Sequence, residues 1–179
     1  MVLESATMTR LRRIEKQDRI FFVTTNLARG ADPLSPPERD LILQTVALQR
    51  QRRDFLLFAF VVMPTHAHFL LVPRNLDLVR IFRDLKSRTG YQIARGRSVH
   101  GAVWQERYFD RIVRRPSDFW KNVEYIHQNP VAANLVRRPE DWRWSGYTQI
   151  VNNKSTVAQV DAVNFPADGS YSLWPAPWR

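Results

Sequence analysis

At 179 residues and 44% hydrophobic content, the chain is long enough to bury one core and apolar enough to fold. It has no cysteine, which excludes disulfides and cysteine-ligated zinc and leaves His, Asp, Glu, Asn and Gln as side-chain metal ligands. The net charge is +10, and only four of the 27 basic residues are lysine (Lys16, Lys86, Lys121, Lys154), so arginine, the residue that grips phosphate bidentately, dominates. Such a balance favours a nucleic-acid partner over a merely solvated basic surface. No apolar run is long enough to span a membrane, and no segment pairs a basic face with a clean apolar one. Residues 1–19 hold no apolar signal-peptide core, so the expected location is the cytoplasm.

The first predicted strand is Arg19–Asn26, β-branched and aromatic. Ala28–Pro37 reads as a loop, and Ser35 followed by Pro36 and Pro37 opens a helix running through Arg53. Phe55–Met63 and His66–Val72 form a predicted hairpin broken by Pro64-Thr65. Asn75 is the predicted cap of a second helix, with Leu78, Ile81, Phe82 and Leu85 on one stripe and an end near Arg95-Gly96. Ala102–Val113 reads as another strand, broken by residues 114–117. A third helix is expected from Asp118 to about Gln128, stopped by Pro130. Strand, helix, strand, strand, helix, strand, helix is the order of a ferredoxin-like α+β sandwich: a split βαβ with a central antiparallel sheet and helices on one face. Residues 1–150 are expected to form the domain. Residues 151–179 are expected to be a linker and a Trp/Pro-rich tail, too apolar to be free.

Half of the chain's four histidines lie in His66-Ala67-His68. Strand alternation sends both imidazoles to one face and Ala67 to the other. The pair can hold one divalent metal, or can be two half-buried imidazoles satisfied by neighbours. The third helix carries Tyr125 and Asn129, four apart and so on one face. Two imidazoles and an amide could bind one metal, and a phenol beside them could attack what the metal polarises.

Three blocks carry a family resemblance. Val62-Met-Pro-Thr-His66-Ala-His68-Phe-Leu-Leu71 resembles the metal motif of the single-tyrosine HUH transposases (insertion-sequence type). Val103-Trp-Gln-Glu-Arg-Tyr-Phe-Asp110 resembles their intervening strand. Tyr125-Ile-His-Gln-Asn-Pro-Val131, with Leu135-Val136, Arg138-Pro-Glu-Asp-Trp142 and Trp144-Ser-Gly-Tyr147, resembles their C-terminal block. Order and spacing match over about residues 19–150, and within the family the chain is most similar to the REP-associated tyrosine transposases, linked to palindromic repeats in bacterial genomes. The resemblance implies the HUH endonuclease fold, His66 and His68 as metal ligands, Tyr125 as nucleophile, and Asn129 as third ligand, with neighbouring Gln128 in reserve. His127 faces another way and reads as structural or DNA-contacting. His100 reads as a loop residue, and Tyr91, Tyr108, Tyr147 and Tyr171 lack an amide one turn on with a matching motif.

The implied activity is cleavage and rejoining of single-stranded or hairpin DNA through a 5′-phosphotyrosine, with Mg²⁺ or Mn²⁺ as cofactor. The alternatives are a non-catalytic DNA- or RNA-binding protein of this fold and a metal-dependent hydrolase of another substrate. DNA contacts are expected from Arg80, Arg83, Lys86, Arg95, Arg97, Arg107, Arg111, Arg114 and Arg115. Trp104, Trp142 and Trp144 read either as stacking platforms for unpaired bases or as core. The resemblance leaves both a monomer and a homodimer open.

Overall fold

A computed structural model describes residues 19–98, 100–154 and 156–162. Its elements are β1 (Ile20–Asn26), α1 (Pro36–Gln51), β2 (Phe55–Val62), β3 (His66–Pro73), α2 (Leu78–Arg97), β4 (Phe109–Val113) and α3 (Pro116–Ala132). A 3₁₀ turn (Pro139–Asp141) and a short α4 (Tyr147–Asn152) follow. The β2–β3 hairpin closes through Met63 N–H donating to the His66 carbonyl at 2.8 Å, with Pro64 and Thr65 at the tip. All pairings are antiparallel, in the order β2-β3-β1-β4, so the expected α+β sandwich is the fold observed.

The helices, however, lie on both faces of the sheet, not one. α1 and α2 bury Ile42, Val46, Ile81, Phe82, Leu85 and Ile93 against Val23, Leu57, Phe69 and Leu71. α3 buries Phe119, Val123 and Ile126 against Phe22, Phe58, Leu70 and Val72 on the opposite face. The reason is visible in β2 and β3, whose side chains are apolar on both faces and need cover on both.

Other boundaries shift for local reasons. Asp77, not Asn75, caps α2, its Oδ1 accepting from Arg80 N–H at 2.8 Å, while Asn75 donates to the Arg52 carbonyl. The expected strand from Ala102 shortens to Phe109–Val113. Before it, Trp104 bridges to Leu27 and is buried, and Lys86 Nζ donates to the carbonyls of Gln105, Glu106 and Arg107 at 2.9, 3.2 and 3.2 Å. α3 runs through Pro130, which has no N–H to give the Ile126 carbonyl but fits the helical φ. It ends instead at Ala132, just before Asn134 with φ +57°, where Leu135 N–H reaches the Pro130 carbonyl and Asn134 N–H the Val131 carbonyl.

Trp144–Gly146 and Asp161 seal the outer edge of β2. Val62 N–H donates to the Trp144 carbonyl at 2.8 Å, Gly146 N–H to Phe60 at 3.1 Å, and Leu57 N–H to the Asp161 carboxylate at 2.8 Å. Ala158 and Val160 are buried, so the expected linker after residue 150 is part of the fold as far as Asp161. Gly146 is there for space: a Cβ would lie 2.9 Å from Val160 Cγ1 and 3.3 Å from Phe60 Cε1. The Trp/Pro-rich tail, with Tyr171, lies outside the described residues.

Candidate active site

β3 places His66 and His68 on the α3 face and turns Ala67 into the opposite core. The two rings stand 4.7 Å apart between centroids. On α3, Phe119, Val123, Ile126 and Pro130 point into the sheet. Asn122, Tyr125 and Asn129, at i, i+3 and i+7, therefore run along the border of that buried stripe. That border overlooks β1 and β3. Tyr125 is 52% exposed, and its ring lies 5.3 Å from His68 and 5.9 Å from Phe22. Asn129 Oδ1 is 3.4 Å from His66 Nε2, whereas Gln128 is exposed.

Each imidazole is oriented through Nδ1. His68 Nδ1 lies 2.8 Å from Oγ1 of Thr24, its direct partner across the β1–β3 pairing, and His66 Nδ1 lies 3.0 Å from Thr65 Oγ1. A tautomer with Nδ1–H donating to these hydroxyls would leave each Nε2 its lone pair. His68 Nε2 is buried and has no hydrogen-bond partner among the described residues. Burial, and then the nearby His66, push the His68 imidazole down to about 3. Burial also lowers His66, against the Asn129 contact that raises it. Both are thus neutral at neutral pH, the state a metal requires.

Among the described residues there is no cluster of three or more His, Cys, Asp and Glu. The set available for a cation is His66 Nε2, His68 Nε2 and Asn129 Oδ1. The orphaned, neutral Nε2 of His68 fits such a use, and a nitrogen–nitrogen–oxygen set leaves positions open for substrate oxygens. Beside it lies an open groove of about 390 Å³ lined by Phe22, Thr24, His68, Phe109, Arg111 and Tyr125. A larger groove of about 770 Å³ lies between α2 and residues 100–108, and contains none of the His66–His68–Tyr125–Asn129 group.

No family model matches the chain. Over 142 residues it is 25% identical to the REP-associated tyrosine transposase of Escherichia coli (strain K12), covering 78% of this chain and 83% of that one. A Haemophilus influenzae (strain Rd) protein, provisionally given the same name, is 27% identical over 100 residues, 50% of this chain and 57% of its own. A solved structure of a REP-associated tyrosine transposase bound to a REP hairpin matches with TM-score 0.66 at 22% identity, covering 86% of this chain and 92% of that one. The chain is similar to the REP-associated tyrosine transposases in sequence and in fold.

The basic residues expected to meet DNA divide into two groups. Arg80, Arg83, Arg95, Arg107, Arg111, Arg114 and Arg115 are exposed. Arg97 is occupied by Glu38 at 2.6 and 2.7 Å and by the carbonyls of Asp32 and Pro33, and Lys86 by its three carbonyls. Trp104, Trp142 and Trp144 are structural. Trp104 donates to Thr89, Trp142 to the Val62 carbonyl and Trp144 to Asp40, and Arg39 stacks on the last two. His127 is buried edge-on to Tyr147, and His100 is exposed beside the larger groove. Sequence reasoning missed Thr24, Phe22, Phe109 and Asn122. Phe109 stands two residues before Arg111 on one strand face, a spacing visible in the sequence. Thr24 becomes visible only once the β1–β3 register is known.

Proposed function

We propose that this protein is a metal-dependent single-strand DNA endonuclease and strand transferase with Tyr125 as nucleophile, acting on hairpin DNA. The observation that carries the reading is the convergence of His66, His68, Asn129 and Tyr125 from segments 63 residues apart, around a buried imidazole nitrogen that has no protein partner. The names of the sequence relatives and the hairpin bound to the structural relative support it.

His66, His68 and Asn129 would hold a Mg²⁺ or Mn²⁺ ion, whose charge would offset the negative charge of the scissile phosphate. The Tyr125 hydroxyl oxygen, on a ring held between Phe22 and the groove mouth, forms the new bond to phosphorus. The bond from phosphorus to the 3′ oxygen breaks. The phenol proton passes to water, and the leaving 3′ oxygen takes one up. The products are a 5′-phosphotyrosine and a free 3′-hydroxyl. The phosphodiester bond energy is kept, so attack by another 3′-hydroxyl rejoins strands and restores the phenol.

The test is a denaturing gel of labelled hairpin DNA with a single-stranded flank, incubated with the protein and Mn²⁺. A covalent band is expected with the wild type and none with Tyr125→Phe, whose hairpin affinity stays within about twofold because phosphate contacts carry binding. Binding without any covalent band in the wild type favours the non-catalytic DNA-binding reading. An undiminished band in Tyr125→Phe removes the nucleophile assignment.

A further inference from the structure

β4 is an edge strand whose first three residues are exposed. Its register aligns Phe109 with Thr24 and, one strand on, with His68. It also aligns Arg111 with Phe22. Directly paired residues point to the same face, so the sheet presents two rows beneath α3: Phe109–Thr24–His68 and Arg111–Phe22–Leu70. The second row is core at its inner end. The first passes from a candidate metal ligand to a phenylalanine left 58% exposed. Phe109 belongs to neither hydrophobic cluster and lines the groove with Tyr125 opposite. The Arg111 guanidinium sits 4.9 Å from the centre of the Phe22 ring, and the side-chain amide oxygen Oδ1 of Asn122 on α3 accepts one of its five donors. It is therefore held at the same groove rather than left to wander.

We propose that Phe109 and Arg111 form a nucleotide subsite beside the scissile phosphate, in which Phe109 stacks on one unpaired base and Arg111 holds a phosphate of that nucleotide. An aromatic face accepts any base, and a guanidinium fits a phosphate bidentately. The wall opposite is Tyr125, so a nucleotide seated there brings its phosphodiester to the nucleophile. The proposal deepens the reading of the site as a DNA strand-cleaving centre and rests on it.

The experiment uses hairpins with a single-stranded flank carrying one 5-iodouridine, moved position by position, irradiated with the full-length Tyr125→Phe protein and mapped by mass spectrometry. A crosslink on Phe109 from one flank position only is expected. Placing an abasic site at that position should lower covalent product in the Tyr125-containing protein by about tenfold, the size expected of one base–aromatic stack. Phe109→Ala should cause the same loss with the base present and no further loss on the abasic flank. Arg111→Ala should weaken binding of the flanked hairpin while leaving a blunt hairpin unaffected. Crosslinks elsewhere, together with independent effects of Phe109→Ala and the abasic site, would overturn the subsite. If the wild type makes no covalent product at all, the cleavage reading fails. The position-specific crosslink and the Arg111→Ala binding comparison still decide the subsite on their own.

Discussion

A buried polar atom without a partner costs on the order of 1–3 kcal/mol, and His68 Nε2 is one. Binding of a cation there stabilises the folded state alone, so the metal assignment has a thermal readout independent of cleavage. At about a hundred times its dissociation constant, Mn²⁺ should add about 2.7 kcal/mol and raise the melting temperature by several degrees. His68→Ala should abolish that response, and equal shifts in both proteins would return the histidines to a purely structural role. His127 provides a pH test. Burial pushes its imidazole from 6.5 down to about 4. The unfolded chain therefore binds the extra proton first as pH falls. Its stabilising share is complete above pH 6.5 and drains away towards pH 4, reaching about 3 kcal/mol. Urea unfolding at pH 7.5 and 4.5 should show a smaller acid loss in His127→Gln than in the wild type. His66 and His68 act in the same direction in both proteins, so the difference isolates His127. Identical losses would mean that His127 already charges within the fold.

Glu38 ties α1 to α2: its carboxylate accepts Ser35 N–H at 2.7 Å and the Arg97 guanidinium through two bonds, and Arg97 holds it below the usual carboxylate range. Both side chains are largely buried, so Arg97→Ala leaves a shielded carboxylate without its cation, with only Ser35 N–H for a partner, and should cost roughly 1–3 kcal/mol. Hairpin affinity should barely change. Arg95→Ala, one exposed position two residues earlier, should do the reverse, weakening binding with the melting temperature intact. Loss of affinity in Arg97→Ala at unchanged stability would restore it to the DNA surface. The same pair shows what sequence can and cannot carry. Arginine count predicts a phosphate partner, but which guanidinium is committed internally depends on a carboxylate 59 residues away. The hairpin was legible because its apolar run breaks once, at Pro64-Thr65, and His66 and His68 follow from alternation alone. The uninterrupted apolar character of β2 and β3 also held the signal for cover on both faces, which the element order by itself does not state. Val103 and Trp104 look like strand residues and so lengthen the expected strand, whereas they are buried under α2 as a tether. Pro130 signals a stop in the sequence, yet the helix continues to Ala132, just before Asn134 adopts a left-handed conformation. The assignment of roles to Tyr125 and Asn129 came from family resemblance. Their helical spacing says only that they share a face.

At the scale of the whole molecule, the chain's net charge of +10 would set how the proposed DNA substrate is met. Among the described residues no helix is long and apolar enough to cross a membrane. Arg80, Arg83 and Arg95 lie on α2, and Arg107, Arg111, Arg114 and Arg115 on and around β4. A rigid stem offers two phosphate rails to such a surface, while the active-site groove needs a strand free to bend, because Tyr125 lies on a helix border above the sheet rather than on a projecting loop. Hairpin DNA with a single-stranded flank supplies both. Plain duplex supplies only the rails, and an unstructured strand only the free segment. Each phosphate neutralised on a duplex stem contributes about −0.9 to the slope of log affinity against log salt. If half or more of the exposed arginines engage, the slope should lie between about −3 and −6. Titrations at several salt concentrations with the flanked hairpin, the bare duplex and the unstructured strand test this directly. The flanked hairpin should bind tightest, the duplex should share most of its salt slope yet resist cleavage, and the unstructured strand should bind with a shallower slope. Cleavage of all three at equal rates, or a slope near zero, would discard the hairpin as the substrate form and leave the chemistry assigned to Tyr125 to be judged by its own variant.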